Sequence, residues 1–152
     1  MGIARTALCT ATLMLGLGAA SAPARAATAD AALRAAATKE QAAVIDTLRD
    51  LVTVESGSTD HEGVATLMTY LDKRLRALDA KVDRVASASG GPDMVRGVFT
   101  GKGTLRVMLI AHADTVYDRG ILAREPYHRK GNLLYGPGIA DDKGGIAVIL
   151  HA

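Results

Sequence analysis

Hydrophobic residues recur at helical spacing in two segments of the first half of the chain. In residues 30–54 apolar side chains return every three or four positions, and residues 55–58 break the pattern with Glu-Ser-Gly-Ser. A second stripe begins near Thr59 or Asp60, either of which can cap a helix. The apolar positions of the two stripes are Val44, Ile45, Leu48, Leu51 and Val52, then Val64, Leu67, Met68, Leu71, Leu75 and Leu78. This spacing predicts two amphipathic helices whose apolar faces pack into a core.

Strand-like patterns follow the second stripe. Residues 80–88 alternate loosely, residues 89–92 (Ser-Gly-Gly-Pro) are a turn signal, and residues 94–100 read as a strand. Residues 101–103 (Gly-Lys-Gly) predict a tight hairpin turn into residues 105–111, LRVMLIA. Because this run is mostly apolar, it is typical of a strand buried on both faces of a mainly parallel sheet. Two helices followed by strands predict an α/β fold.

The remaining segments are shorter. Residues 117–132 predict a loop, and residues 133–135 predict one short strand. Residues 143–152 (KGGIAVILHA) have the pattern of an apolar helix but contain no Gly, Asn or Pro stop signal at their end. We interpret the chain as the front part of a longer protein, and a complete small domain with a frayed end is the alternative.

The first 26 residues have the pattern of a secretory signal peptide. Arg5 precedes an uncharged stretch at 6–22, and Ala24-Arg25-Ala26 supplies a small-x-small cleavage pattern, with Ala27 as the first mature residue. A membrane anchor is the alternative, but the apolar core is shorter than the ~20 residues of a spanning helix. The pattern predicts a periplasmic or secreted protein that has no membrane attachment after cleavage.

Charge and cysteine content exclude several functions. The sequence has 18 basic and 16 acidic residues. Because cleavage removes two arginines and no acid, the mature chain is formally neutral, which gives no indication of a nucleic-acid partner. The single cysteine, Cys9, lies in the leader, so the mature chain has no thiol nucleophile. A serine hydrolase is disfavoured because no Gly-x-Ser-x-Gly elbow occurs.

Two short segments carry metal-binding chemistry. His112 follows the apolar run, at the strand end where open α/β sheets bind ligands, and Asp114 lies two positions on, on the same face of a strand. His112 can bind a metal while Asp114 orients the ring, or the two can form a structural pair. Residues 136–145 read GPGIADDKGG, in which Asp141 and Asp142 follow a glycine bend. Either carboxylate can bridge two cations or cap the following helix.

Together these segments resemble the M20 family of metallopeptidases, and most closely its glutamate carboxypeptidase branch. The resemblance rests on HADTVY at 112–117, on Gly120-Ile121-Leu122 and on GPGIADDKGG. It is strong over residues 105–150, whereas residues 27–104 match only in the order of their elements. Ala111 stands where the family pattern usually has serine, a change that leaves the histidine ligand in place.

The resemblance implies a fold and a site. The fold is a zinc-peptidase-like catalytic domain with a mixed, mainly parallel sheet flanked by helices, and residues 27–152 are its N-terminal part. A complete site holds two zinc ions, with His112 and Asp141 as metal ligands and Asp114 as the catalytic residue that supports His112. Asp141 bridges the two ions, and its peptide bond to Asp142 is expected to be cis.

The resemblance also implies a reaction. A metal-activated water hydrolyses an amide or peptide bond next to a C-terminal carboxylate, with a C-terminal glutamate on a small-molecule or peptide substrate as the closest match. M20 aminoacylases, deacetylases and dipeptidases have the same arrangement of metal ligands, so each of these activities is an alternative. The family has a second, smaller domain for dimer contacts, so the full-length protein is expected to be a homodimer.

Half of this catalytic plan has no counterpart in the sequence. The resemblance implies a general base from a Glu-Glu pair that follows the second motif. No Glu-Glu pair occurs in this sequence, and Glu125 lies between the two motifs and not after them. We interpret His61 as a helix-start residue, His128 as a loop residue and His151 as a helix-face residue, all without a metal role. The chain by itself is therefore expected to be inactive, and a non-catalytic metal-binding fragment is the alternative to an enzyme.

Overall fold

The computed structural model describes residues 30–152, and the predicted leader at 1–26 lies outside the described residues. The elements are α1 (Ala31–Val52), α2 (His61–Ala77), β1 (Lys81–Val85), β2 (Met94–Val98), α3 (Ile121–Arg124), β3 (His128–Lys130), β4 (Leu133–Tyr135) and α4 (Gly144–Ile149). A short helical turn, Ile139–Lys143, leads into α4. Between residues 30 and 152, no helix combines the length and the apolar character that a membrane crossing requires.

Aspartate caps begin both long helices. A side-chain oxygen of Asp30 accepts a hydrogen bond from the backbone nitrogen of Ala32 at 2.7 Å. Asp60 accepts one from the backbone nitrogen of Gly63 at 3.0 Å. These bonds satisfy N–H groups that have no partner within the helix. Of the two caps that the sequence allowed for α2, the structure uses Asp60.

The two apolar stripes meet α4 in a single buried cluster. Its members come from α1, α2, the segment between His112 and Asp114, and α4 with the residue that follows it: Leu48, Leu51, Val52, Leu67, Leu71, Ala113, Ile146, Ala147 and Leu150. The prediction of Leu78 as a core residue is wrong, because α2 ends at Ala77 and the Leu78 side chain is 43% exposed. Since Ala113 belongs to the core, it fixes the backbone between His112 and Asp114.

The strand pairing differs from the prediction. β1 pairs with β2 in antiparallel register across the turn predicted at residues 89–92, whereas the hairpin predicted at residues 101–103 is not found in the described residues. β3 pairs with β4, also antiparallel. In the part of the chain that the structure describes, the one parallel pairing is the isolated bridge between Gly57 and Thr115. Helices with small antiparallel sheets are compatible with the α/β class, but the predicted mainly parallel sheet is not found in these residues.

Residues 105–111 do not form the predicted buried strand. They lie outside the named strands, and Leu105, Val107 and Ile110 are 85%, 73% and 76% exposed. A strand is stable only where its backbone N–H and C=O groups meet a partner. The preceding strand, β2, pairs with β1 instead of with this segment. The apolar pattern therefore shows that the segment is hydrophobic, but it does not determine which strand the segment pairs with.

The predicted 117–132 loop contains the short helix α3 and the strand β3. The carboxylate of Glu55 accepts hydrogen bonds from the backbone nitrogens of Gly120 at 2.7 Å and Leu122 at 2.9 Å. These two bonds lower the pKa of Glu55. Glu55 thus caps α3 from the end of α1 and holds the segment that follows the His112 motif. The short strand predicted at 133–135 is confirmed as β4.

Candidate metal centre

His112 lies between two carboxylates. Its Nδ1 atom is 3.0 Å from the backbone oxygen of Asp114 and 3.3 Å from Oδ1 of the same residue. Its Nε2 atom is 2.8 Å from Oδ1 of Asp141. The structure therefore brings together the three site residues that the two motifs suggested, while their metal and catalytic roles stay predictions.

The carboxylates determine the charge on the imidazole ring. The Asp141 carboxylate raises the pKa of His112, partial burial opposes this effect, and Asp114 adds to it. A neutral imidazole has one N–H donor, whereas both ring nitrogens of His112 face acceptors. A second proton on the ring is therefore favoured, carried by Nε2 and donated to Asp141.

A metal ion in place of that proton fits the donor atoms of the site. When Nδ1–H points to Asp114, the lone pair of Nε2 is directed at Asp141, which is the usual arrangement of a metal-binding histidine. Imidazole nitrogen and carboxylate oxygen are both zinc ligands. The set is incomplete in number, because residues 30–152 contain no group of three or more His, Cys, Asp and Glu side chains that could hold a metal ion.

The two adjacent aspartates point to different neighbours. Asp141 faces His112, and its side chain is 79% exposed. The carboxylate of Asp142 lies over Gly145, where an added Cβ would overlap Asp142 Oδ1. The Asp141–Asp142 peptide bond is cis, as the family resemblance implies. Of the two carboxylates that the sequence left open, Asp141 is the one beside the histidine.

Lys143 connects this turn to the end of α1. Its side chain is 1% exposed, and Nζ donates a hydrogen bond to the backbone oxygen of Val54 at 2.7 Å. Burial lowers the pKa of Lys143 to about 8. Because the side chain is enclosed beneath the turn, Lys143 acts as a structural support for the backbone that carries Asp141.

Residues 56–58 support Asp114 in a way that the sequence analysis missed. The backbone nitrogen of Thr115 donates to the oxygen of Ser56, and the nitrogen of Ser58 donates to the oxygen of Thr115, both at 2.8 Å. The hydroxyl of Ser58 donates to Oδ2 of Asp114 at 2.6 Å and lowers the pKa of that carboxylate. From the sequence, residues 55–58 were only a break after a helix. The contact joins segments far apart in sequence, and no local pattern marks it.

A known enzyme is similar to this chain in sequence. The chain is 48% identical over 123 residues to carboxypeptidase G2 from Pseudomonas sp. (strain RS-16). The alignment covers 80% of this chain and 30% of the relative, so the chain spans less than a third of the relative's length. The chain belongs to the M20 family. The family resemblance drawn from the two motifs is thereby confirmed, although no family model matches the chain.

A cleft of about 580 Å³ opens beside the candidate metal-site residues, with Asp141 as part of its wall. Its other walls include Tyr117, Arg124, His128 and Tyr135. This size is in the range of ligand-binding cavities, roughly 300–1,000 Å³. The combination of aromatic and charged side chains next to Asp141 makes the cleft a candidate substrate entrance.

The remaining histidines lie in other segments of the chain. His61 is the first residue of α2, as predicted, whereas His128 lies on β3 and not in a loop. His151 follows α4, and its Nε2 atom is 2.8 Å from Oγ1 of Thr47. Its Nδ1 atom is 3.2 Å from Glu40. His151 therefore ties the end of α4 to α1.

Proposed function

We propose that this chain is part of a zinc-dependent hydrolase that cleaves an amide or peptide bond next to a C-terminal carboxylate, with glutamate as the released residue. The observation that carries the proposal is His112 held between Asp114 and Asp141. Similarity to a carboxypeptidase supports the reaction class. Because the alignment covers 30% of that relative, the activity, substrate and partners of the whole protein are part of the proposal.

Each residue has a distinct task in this proposal. His112 binds the metal through Nε2, Asp114 fixes the ring through Nδ1, and Asp141 binds through its carboxylate. When bound, zinc supplies Lewis acidity toward the scissile carbonyl and an acidified water as nucleophile. The cleft beside Asp141 admits the substrate. The sequence has no Glu-Glu pair to serve as the base, so the 152 residues alone are expected to be inactive.

We also propose that the protein is exported and forms a homodimer. The leader pattern at 1–26 supports a periplasmic or secreted location, after which the chain has no membrane attachment. The neutral charge balance of residues 27–152 supports a small-molecule or peptide substrate and gives no reason to expect nucleic acid. Family membership supports the homodimer.

The test is glutamate release by the protein made from the complete gene. The substrate is an N-acyl-L-glutamate, and the matched control is the same compound with its α-carboxylate amidated. We expect release from the first and not from the second, loss of activity with a zinc chelator, and recovery when zinc is restored. Activity that is unchanged by the chelator would contradict the proposal.

The same experiment separates the alternatives. Faster hydrolysis of N-acetyl amino acids than of the N-acyl-glutamate would favour an aminoacylase or deacetylase, and faster cleavage of dipeptides would favour a dipeptidase. The 152-residue chain is assayed in parallel. Bound zinc without turnover in both proteins would favour a non-catalytic metal-binding protein.

A further inference from the structure

We propose that Ser58 is a positioning residue of the metal site, which holds the Asp114 carboxylate in the orientation that fixes the His112 ring. The inference rests on the proposed zinc function. It concerns a residue in the segment after α1, outside both sequence motifs.

The single hydroxyl proton of Ser58 has two acceptors within reach. Oδ2 of Asp114 lies at 2.6 Å, and the backbone oxygen of Thr115 lies at 3.1 Å. The Thr115 oxygen already accepts the backbone N–H of Ser58 at 2.8 Å. A hydroxyl-to-carboxylate bond of roughly 2.5–2.7 Å is typical of the stronger, charge-assisted class. The proton therefore goes to Asp114.

The two oxygens of Asp114 have separate partners. Oδ2 accepts from Ser58, and Oδ1 faces Nδ1 of His112 at 3.3 Å. Without the hydroxyl, the carboxylate is free to rotate about its bond to Cβ. The Nδ1–H group then keeps only the backbone oxygen of Asp114 at 3.0 Å, so the ring is held less firmly in the orientation that directs Nε2 to a metal.

The backbone places the Ser58 hydroxyl with little freedom. Backbone hydrogen bonds join Thr115 to both Ser56 and Ser58. The buried hydroxyl of Ser56 also donates to the backbone oxygen of Ala113 at 2.8 Å. Gly57 lies between the two serines, and a Cβ at that position would overlap the backbone oxygen of Tyr117. Because the segment is fixed on both sides, orienting Asp114 costs little conformational entropy.

The experiment compares Ser58→Ala, Ser58→Thr and Ser58→Val in the full-length protein. Zinc affinity is measured by competition with a chromogenic chelator, and the melting temperature is recorded for each variant. Loss of an outer partner of a metal-binding histidine weakens metal affinity by roughly 10–100-fold, so we expect about a tenfold loss in the alanine and valine variants. Threonine keeps the hydroxyl, and Ser58 is exposed enough to admit its methyl group, so its affinity should stay close to that of the unmodified protein.

Ser56→Ala is the matched control. It removes a buried hydrogen bond from the same bridge but leaves both partners of the Asp114 carboxylate. It should lower the melting temperature without changing zinc affinity. Equal zinc affinity in Ser58→Ala and the unmodified protein would overturn the inference, as would equal losses in Ser58→Thr and Ser58→Val or in the Ser56 control.

The readouts separate this inference from the proposed function. If the protein binds zinc and Ser58 controls its affinity but no glutamate is released, the proposed reaction fails and the inference stands. If glutamate is released and zinc affinity does not respond to Ser58, the inference fails alone. A full-length protein that binds no zinc overturns both.

Discussion

The Nε2 atom of His112 lies 2.8 Å from Oδ1 of Asp141, although the two residues are 29 positions apart in the chain. At this distance Nε2 either donates a proton to the carboxylate or shares a cation with it, because two lone pairs facing each other would repel. This relationship distinguishes Asp141 from Asp142, whose carboxylate lies over Gly145.

Removal of either member of this pair should abolish metal-dependent hydrolysis in the full-length protein. We expect His112→Ala and Asp141→Ala to reduce glutamate release to background, since each removes an atom that we propose as a metal ligand. Asp142→Ala should cost less, because its side chain does not face the histidine. The measurements are kcat/KM and zinc content for all three variants. An equal loss in Asp142→Ala would show that the assignment of the two aspartates is wrong.

Gly57→Ala should destabilise the protein. The added Cβ would overlap the backbone oxygen of Tyr117, which cannot move as a flexible side chain can. Overpacking of this kind costs about 1–3 kcal/mol in the free energy of unfolding. The control is Gly101→Ala, whose Cβ meets no atom within 4 Å and which should change the free energy by less than about 0.5 kcal/mol. Urea unfolding measures both, and similar values for the two variants would contradict the prediction.

The Asp60–Arg119 ion pair should stabilise the fold at neutral pH and lose its effect in acid. Arg119 donates a hydrogen bond to Asp60 at 2.9 Å and holds the pKa of that carboxyl below its usual value of 3.8. A carboxyl with a lowered folded pKa stabilises the protein above pH 3.8, and the stabilisation disappears as the pH falls through the folded value.

Asp60→Asn tests this pH dependence, because asparagine can still cap α2 but carries no charge. The urea midpoint of the variant should lie below that of the unmodified protein at pH 6. The gap should close as the pH falls below 3.8. A gap that stays constant down to pH 2 would mean that the cap and not the charge stabilises this end of α2.

Residues 105–110 should promote self-association of the 152-residue chain. Their large apolar side chains are all more than half exposed, namely Leu105, Val107, Met108, Leu109 and Ile110. A continuous exposed apolar run is an aggregation hazard. Val107→Lys with Leu109→Lys should lower the fluorescence of a hydrophobic dye and the fraction of aggregate seen by light scattering.

A surface leucine elsewhere provides the control for that experiment. Leu33 on α1 is 71% exposed but stands apart from the apolar run. Leu33→Lys should therefore leave both dye fluorescence and aggregation nearly unchanged. A decrease as large as that of the double variant would show that any exposed apolar side chain contributes equally.

Local sequence patterns determined the helices and the chemistry of the site. The apolar stripes predicted α1 and α2, since helical spacing depends on neighbours three and four positions apart. Aspartate caps set their first residues for the same local reason. The motifs around His112 and Asp141 indicated the family, because their residue types and order are visible without a structure.

Tertiary structure decided every relationship between segments that are distant in the chain. The path of the backbone places Asp141, and not Asp142, beside His112. It also brings Ser58 to Asp114 and lets Glu55 cap α3. The path of the backbone also makes β2 pair with β1 and not with residues 105–111. A strand pattern specifies which side chains alternate, but the partner is chosen by which backbone groups the folded chain brings within hydrogen-bonding distance.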